Sequence, residues 1–283
     1  MPDLHHVLEE TVTRDVTRAL AEDMGTGDLT ARLIPPERDA RARLMTRANG
    51  VLCGAEWFDR TFEELDPDVE IFWHHADGDD IVAGSSLCEL EGNARAMLTA
   101  ERTALNFVQL LSGVATRTRM FVRAIQGTRA RILDTRKTLP GLRMAQKYAV
   151  RTGSGTNHRI GLYDGILIKE NHIVAAGSVK AAVQAARHDV DDDTMLQVEV
   201  ESLDQLREAL DAGAKLILLD NFDLAGMREA VRVAGERAEL EASGGVTLDT
   251  VRAIAETGVH RISIGSLTKD IEALDLSMRF MHH

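Results

Sequence analysis

The chain has little cysteine, two residues in 283. Cys53 and Cys88 each stand alone among apolar neighbours, which excludes a disulfide framework. Both are expected as small buried hydrophobes in a reducing cytoplasm. No stretch approaches the ~20 uninterrupted apolar residues of a membrane helix. The opening Met1-Pro2-Asp3-Leu4-His5-His6 has no basic stretch leading into an apolar run, so a secretory signal is not expected. Positive charge is also short overall: the net charge is −12. That argues against a nucleic-acid-binding surface. No internal repeat or low-complexity tract occurs.

Against these absences, 44% hydrophobic content in 283 residues is enough for one large domain or two modest ones. The few cations are gathered. Residues 129–172 carry nine Lys/Arg against three acids, a local +6 that leaves −18 elsewhere. An acidic chain with one concentrated basic segment can focus a small, highly charged anion. A solvated basic face is the plainer meaning, and charge alone does not choose between them.

Periodicity divides the chain into two halves. In the first, Leu4, Val7, Leu8, Val12, Val16 and Leu20 recur at helical spacing and predict a helix over 3–24, broken by Gly25-Thr26-Gly27-Asp28. Strands are expected at 42–46, 69–74 and 86–90, with a helix over 57–65. Asp77-Gly78-Asp79, Val82 and Gly84 resemble the turns of biotinyl- and lipoyl-type hairpins, but no lysine sits at the tip, so they count as architecture. A long helix follows over 94–126, with a bend expected at Ser112-Gly113. In the second half, apolar runs at 131–134, 166–168, 196–200, 215–219, 239–242 and 261–264 alternate with helical stretches such as 203–212 and 224–234. That rhythm predicts parallel strands. Six fall short of the eight of a complete barrel, so an irregular, incomplete βα barrel is expected.

Reactive groups of βα barrels cluster at the C-terminal ends of the strands. Here the runs are followed by Thr135-Arg136-Lys137, Lys169-Glu170-Asn171, Glu199 with Glu201, Asp220-Asn221, Ser243-Gly244-Gly245 and Gly265-Ser266. Arg136, Arg159 and Lys169, with His158, supply cationic donors, and guanidinium forks suit carboxylates. Glu199 and Asp220 could hold Mg²⁺, which takes hard oxygens and keeps waters and phosphate oxygens as its other ligands. The two glycine loops let backbone N–H groups approach a phosphate. Singly, each feature has a bland meaning: Gly-Gly is usually a turn, a strand-end acid a helix cap, and His158 a structural histidine. His74-His75 and His282-His283 lack the spacing of a zinc site. The conjunction points to an active site.

The segment Asp134-Thr135-Arg136-Lys137-Thr138-Leu139-Pro140-Gly141-Leu142-Arg143 resembles the signature of quinolinate phosphoribosyltransferases. So do Lys147-Tyr148-Ala149-Val150, Asn157-His158-Arg159-Ile160-Gly161-Leu162 and Leu167-Ile168-Lys169-Glu170-Asn171-His172. The likeness continues through Glu199-Val200-Glu201, Leu219-Asp220-Asn221-Phe222, Glu241-Ala242-Ser243-Gly244-Gly245-Val246 and Ile264-Gly265-Ser266-Leu267-Thr268. It is collinear from about Glu22 to Phe280. Only Ser154, inside a glycine-rich turn, departs from it.

The resemblance implies an N-terminal open α/β sandwich, residues 1–112 with 271–283 returning to it, and a barrel domain over 113–270. It implies phosphoribosyl transfer from phosphoribosyl pyrophosphate to quinolinate with decarboxylation, a Mg²⁺-dependent step of NAD biosynthesis. It further implies a homodimer or larger assembly with shared sites, Arg102 reaching the neighbour's. In its terms Arg136, His158, Arg159, Lys169 and Arg102 meet quinolinate, while Lys137 lies between the ring and the pyrophosphate. Thr135, Glu199, Asp220, Ser243, Gly244, Gly245, Gly265 and Ser266 bind substrate. A same-fold transferase for another acceptor, without decarboxylation, and a barrel aldolase or isomerase remain the alternatives.

Overall fold

The computed structural model describes residues 4–188 and 194–281. Asp3, at the start of the expected first helix, and the His282-His283 pair lie outside them. The chain folds into two compact units, one of residues 1–119, 138–154 and 268–283, the other of 120–137 and 155–267. Residues 138–154, which the sequence division assigns to the barrel domain, thus pack with the first unit.

The first unit contains α1 (Leu4–Met24), β1 (Asp39–Thr46), β2 (Gly50–Val51), α2 (Ala55–Glu63), β3 (Glu70–Trp73), β4 (Asp80–Ile81) and β5 (Ser86–Asn93). It also takes most of α3 (Ala94–Ala124), all of α4 (Arg143–Thr152), and the C-terminal strand β12 (Leu276–Phe280). Its sheet runs β12-β1-β5-β3, antiparallel throughout, with the C-terminal strand β12 paired to β1. Period-two alternation turns Ala42 and Leu44 inward with Leu90, Cys88 and Met278. These pack on Phe58 and Phe62 of α2 and on Met97, Ala100 and Val108 of α3. The sheet's other face carries cross-strand ion pairs: Arg41 with Glu91 at 2.8 Å, and Arg43 with Glu89 at 2.7 Å.

Two sequence features acquire a local cause. α3 runs unbroken through Ser112-Gly113, where a bend was expected. A Cβ on Gly113 would lie 2.2 Å from the Glu272 carbonyl oxygen, so this glycine serves close backbone approach, not flexibility. Asp77, in the hairpin-like turn, accepts the Gly54 and Ala55 backbone N–H groups at the start of α2 and the Tyr148 hydroxyl of α4. That carboxylate is favourably placed at a helix N-terminus.

The second unit holds β6 (Arg131–Leu133), β7 (Gly165–Ile168), α5 (Glu170–Ala176), α6 (Val179–His188) and β8 (Met195–Val200). It continues through α7 (Leu203–Asp211), β9 (Leu216–Asp220), α8 (Leu224–Ala234), β10 (Glu239–Ser243), α9 (Leu248–Ala255), β11 (Arg261–Ser263) and the start of α10 (Ser266–Lys269). Its sheet is parallel, in the order β6-β11-β10-β9-β8-β7. The first strand lies beside the last, as in a barrel, but no ladder joins β6 to β7 among the described residues. One isolated bridge, Leu133 to Thr156, marks that gap. The fold is α/β with an incomplete barrel of six strands. Ile217, Leu219, Leu240 and Ala242 are wholly buried, which is why these strands read as continuous apolar runs.

Candidate active site

After β8, β9 and β10 the helix caps are residues other than the site groups at the strand ends. Ser202 caps α7 through the Gln205 N–H, Asp223 caps α8 through the Gly226 N–H, and Thr247 caps α9. Glu199 and Asp220 therefore do no capping work at the helices that follow them, and the commonest plain role for a strand-end acid is removed.

A cavity of about 370 Å³ opens at these strand ends, lined by Thr135, Arg136, Lys137, His158, Arg159, Leu167, Lys169, Glu199, Leu218, Glu241, Ser243 and Ser263. All lie in the second unit. Eight are residues singled out from the sequence. Arg102, on α3 of the first unit, is exposed and does not line it. Asp220, Gly244, Gly245, Gly265 and Ser266 are not lining residues, but Asp220 and Gly265 adjoin the cavity's groups. Repulsion from Glu199 reaches Asp220, and so does attraction from Lys169 and Lys137. A Cβ on Gly265 would stand 2.8 Å from Lys137 Cδ, so the glycine leaves room for that lysine in the conformation seen.

Like charges are held together here. Burial first, then repulsion from Arg136, lowers the Arg159 pKa, with Asp164 opposing. Burial first, then repulsion from Glu199, raises that of Asp220. Lys169 Nζ donates to Glu199 Oε2 at 2.9 Å, so an anion recruiting this lysine must compete with Glu199. The Lys137 backbone N–H donates to Thr135 Oγ1 and fixes the turn after β6. Asp134, fully buried, takes the Asn157 side-chain N–H and the His158 backbone N–H, and the Arg159 guanidinium donates to the Gly165 carbonyl. These bonds set the loop that carries His158 and Arg159.

The oxygen pair Glu199 and Asp220 suits a hard cation that keeps water and phosphate oxygens among its ligands. Among the described residues no group of three His, Cys, Asp or Glu could ligate a metal. The mutual repulsion of the two carboxylates is what a bound cation would relieve.

Sequence reasoning missed Leu167, Leu218, Glu241 and Ser263 in the lining. Glu241 lies two residues before Ser243 on the same face of β10, and Ser263 ends β11 two residues before Gly265. Counting back by two from the strand ends would have found them.

Parallel strands whose C-terminal ends bring arginines, lysines, carboxylates and glycine turns to one cavity define a class, the βα-barrel enzymes of small polyanionic substrates. Within that class the chain belongs to the quinolinate phosphoribosyl transferase family. The family's C-terminal domain matches residues 114–279, and its N-terminal domain residues 28–112. The chain is 45% identical over 257 residues to a probable nicotinate-nucleotide pyrophosphorylase (carboxylating) of Bacillus subtilis, covering 91% of this chain and 89% of that one. It is 39% identical to the chloroplastic nicotinate-nucleotide pyrophosphorylase (carboxylating) of Arabidopsis thaliana, covering 92% of this chain and 80% of that one. The solved nicotinate-nucleotide pyrophosphorylase of Francisella tularensis superposes with a TM-score of 0.93 at 46% identity, covering 96% of each chain.

Proposed function

We propose that the protein transfers phosphoribose from phosphoribosyl pyrophosphate to the ring nitrogen of quinolinate and releases CO₂, pyrophosphate and nicotinate mononucleotide, a step of NAD biosynthesis. The observation that carries this reading is the like charges held close at the strand ends, Arg136 against Arg159 and Glu199 against Asp220. A substrate with two adjacent carboxylates answers the first group. A cationic sugar centre answers the second.

Arg136, Arg159 and Lys169 receive the two carboxylates. Ser243, Gly244, Gly245, Gly265 and Ser266 hold the 5′-phosphate through backbone N–H groups, and Thr135 and Lys137 face the pyrophosphate. Glu199 and Asp220 hold the ribose hydroxyls and would hold Mg²⁺, which when bound neutralises charge on the leaving group. The ring nitrogen forms its bond to the anomeric carbon as the carbon–oxygen bond to pyrophosphate breaks, and the nearby carboxylates favour the developing oxocarbenium. The carbon–carboxylate bond beside the quaternised nitrogen then breaks. Its electron pair stays on the ring carbon next to N⁺ until a proton replaces CO₂. A dry cavity assists, because a carboxylate is better solvated than the dispersed charge that follows.

The reading includes a homodimer in which exposed Arg102 of one subunit completes the site of the other, and a cytoplasmic location. The free, buried Cys53 and Cys88 suit a reducing compartment. Among the described residues, no helix is long and apolar enough to cross a membrane.

The test is stoichiometric. Quinolinate labelled in its 2-carboxylate is mixed with phosphoribosyl pyrophosphate, Mg²⁺ and protein, and CO₂ and pyrophosphate are counted. Equal release is expected, with none when Mg²⁺ is omitted or nicotinate replaces quinolinate. Pyrophosphate without CO₂ would retain the transferase and discard the decarboxylation.

A further inference from the structure

His158 is the site residue whose chemistry the sequence leaves most open, and its ring nitrogens settle which atoms it can offer. Nδ1 lies 2.8 Å from the Arg159 backbone nitrogen and accepts that N–H, so Nδ1 carries a lone pair. The ring proton then sits on Nε2, and two acceptors face it. Gln197 Oε1 is at 2.8 Å, and Glu241 Oε1 is at 3.6 Å. Gln197 and Glu241 are both fully buried. One Glu241 oxygen, Oε2, accepts the Arg261 Nε–H at 3.0 Å, while Oε1 makes no hydrogen bond. A buried carboxylate oxygen left in that state is costly, so its place beside Nε2 calls for a reason.

We propose that Gln197 and Glu241 are positioning residues that fix His158 in its Nε2–H form and, through Nδ1, hold Arg159 at the carboxylate end of the cavity. The arrangement works as outer-shell acceptors do behind histidines elsewhere, setting the tautomer and the ring plane together. With Nδ1 turned to Arg159 and Nε2 to Gln197, His158 gives the cavity ring carbons in place of a cationic donor. It lines the cavity together with Leu167 and Leu218, whose apolar side chains suit loss of CO₂ from a desolvated carboxylate. The cationic work falls to Arg136, Arg159 and Lys169. This inference rests on the quinolinate reading for the identity of the anion, but not for the tautomer.

Long-range ¹H–¹⁵N correlation spectra of the ¹⁵N-labelled full chain test it, with His158 assigned by the signals lost in His158→Gln. The Nε2–H pattern is expected; an Nδ1–H or doubly protonated ring overturns the proposal. Gln197→Leu should mix the tautomers and raise KM for quinolinate about tenfold, the equivalent of one buried hydrogen bond, with kcat changed less than about threefold. Gln197→Glu keeps an acceptor at Nε2 and should bring KM back toward the wild-type value. Glu241→Gln should move KM in the same direction by roughly threefold. An unchanged tautomer and KM in Gln197→Leu, or equal damage in Gln197→Glu, overturns the positioning role. Calorimetric binding of benzene-1,2-dicarboxylate, the ring-carbon isostere of quinolinate, separates the two ideas. A wild-type chain that does not bind it sinks the functional reading and leaves the tautomer result standing.

Discussion

The outer face of the first unit's sheet and the cavity of the second unit are both crowded with charge, and they use it in opposite ways. On the sheet, Arg41 meets Glu91 and Arg43 meets Glu89, directly opposite one another across β1 and β5. In the cavity, Arg159 is pressed by Arg136, and Asp220 by Glu199. Opposite charges side by side stabilise a sheet slightly and ask for nothing more. Like charges side by side are a standing cost, and a fold carries that cost where a ligand of the other sign will relieve it.

If the comparison is sound, removing charge from the cavity should cost far more activity than stability. Arg136→Ala and Lys169→Ala are each expected to lower kcat/KM by about 2–4 kcal/mol of transition-state stabilisation, with melting temperature almost unmoved. Near-normal kcat/KM in either variant would put the carboxylate-binding cations elsewhere. A mixing experiment follows from the proposed shared site. Arg102→Ala and Lys169→Ala, each inactive alone, should regain about a quarter of wild-type activity when subunits are exchanged, because half the sites of each mixed dimer are intact. No recovery from demonstrably exchanged subunits would confine Arg102 to the surface of its own chain.

Gly244 probes the backbone part of the cavity rim. Its φ of +104° lies where side chains are strained, and a Cβ there would stand 2.3 Å from Asn221 Oδ1. Gly244→Ala should add about 1–3 kcal/mol of local strain. Since the loop is exposed, the expected readout is roughly a tenfold higher KM for phosphoribosyl pyrophosphate with the fold retained. An unchanged KM would remove this loop from phosphate binding.

Most of the fold was legible because the six strands of the second unit are largely apolar, β9 and β10 being buried on both faces. Their apolar runs predicted the observed limits to within a residue or so, from Arg131–Leu133 to Arg261–Ser263. Gly113 misled because a glycine in a helix reads as a weak point, while the Glu272 carbonyl that needs its space is 159 positions away in sequence. Arg136, Lys169 and Glu199, singled out at strand ends, line one cavity. Strand-end logic passed over Glu241, whose importance lies in facing His158 from inside a strand. The packing of residues 138–154 with the first unit was equally hidden, since α4 is held there by tertiary bonds such as Tyr148 to Asp77.

The first unit contains one charge that breaks its own pattern, which allows a sharper test. Burial pushes the Asp59 carboxyl up to about 7, with Glu63, Asp77 and Glu56 adding repulsion and the Trp73 N–H opposing. In the window from the ordinary value of 3.8 to about 7, the folded chain binds the proton that the unfolded chain releases. Stability from this group is therefore full below that window, falls as pH rises through it, and is level above. Asp59→Asn keeps an acceptor for Trp73 and should flatten the slope. It should raise stability at pH 8 by about 1–2 kcal/mol and change little at pH 4. Melting temperatures at both pH values check the sign, and a variant less stable at pH 8 would reverse it.

The smallest effect is the one that closes the comparison. Arg43 and Glu89 are 43% and 38% exposed, and their bond is short, 2.7 Å. Short distance alone would suggest strength. Water screens both partners, however, and ordering two long side chains offsets the attraction, so Arg43→Ala should cost at most about 0.5 kcal/mol. The melting temperature should shift by no more than about 2 °C, with kcat/KM unchanged. A large loss in either quantity would mean that the sheet's outer face is not solvated in the working protein, and that its paired charges meet something more than each other.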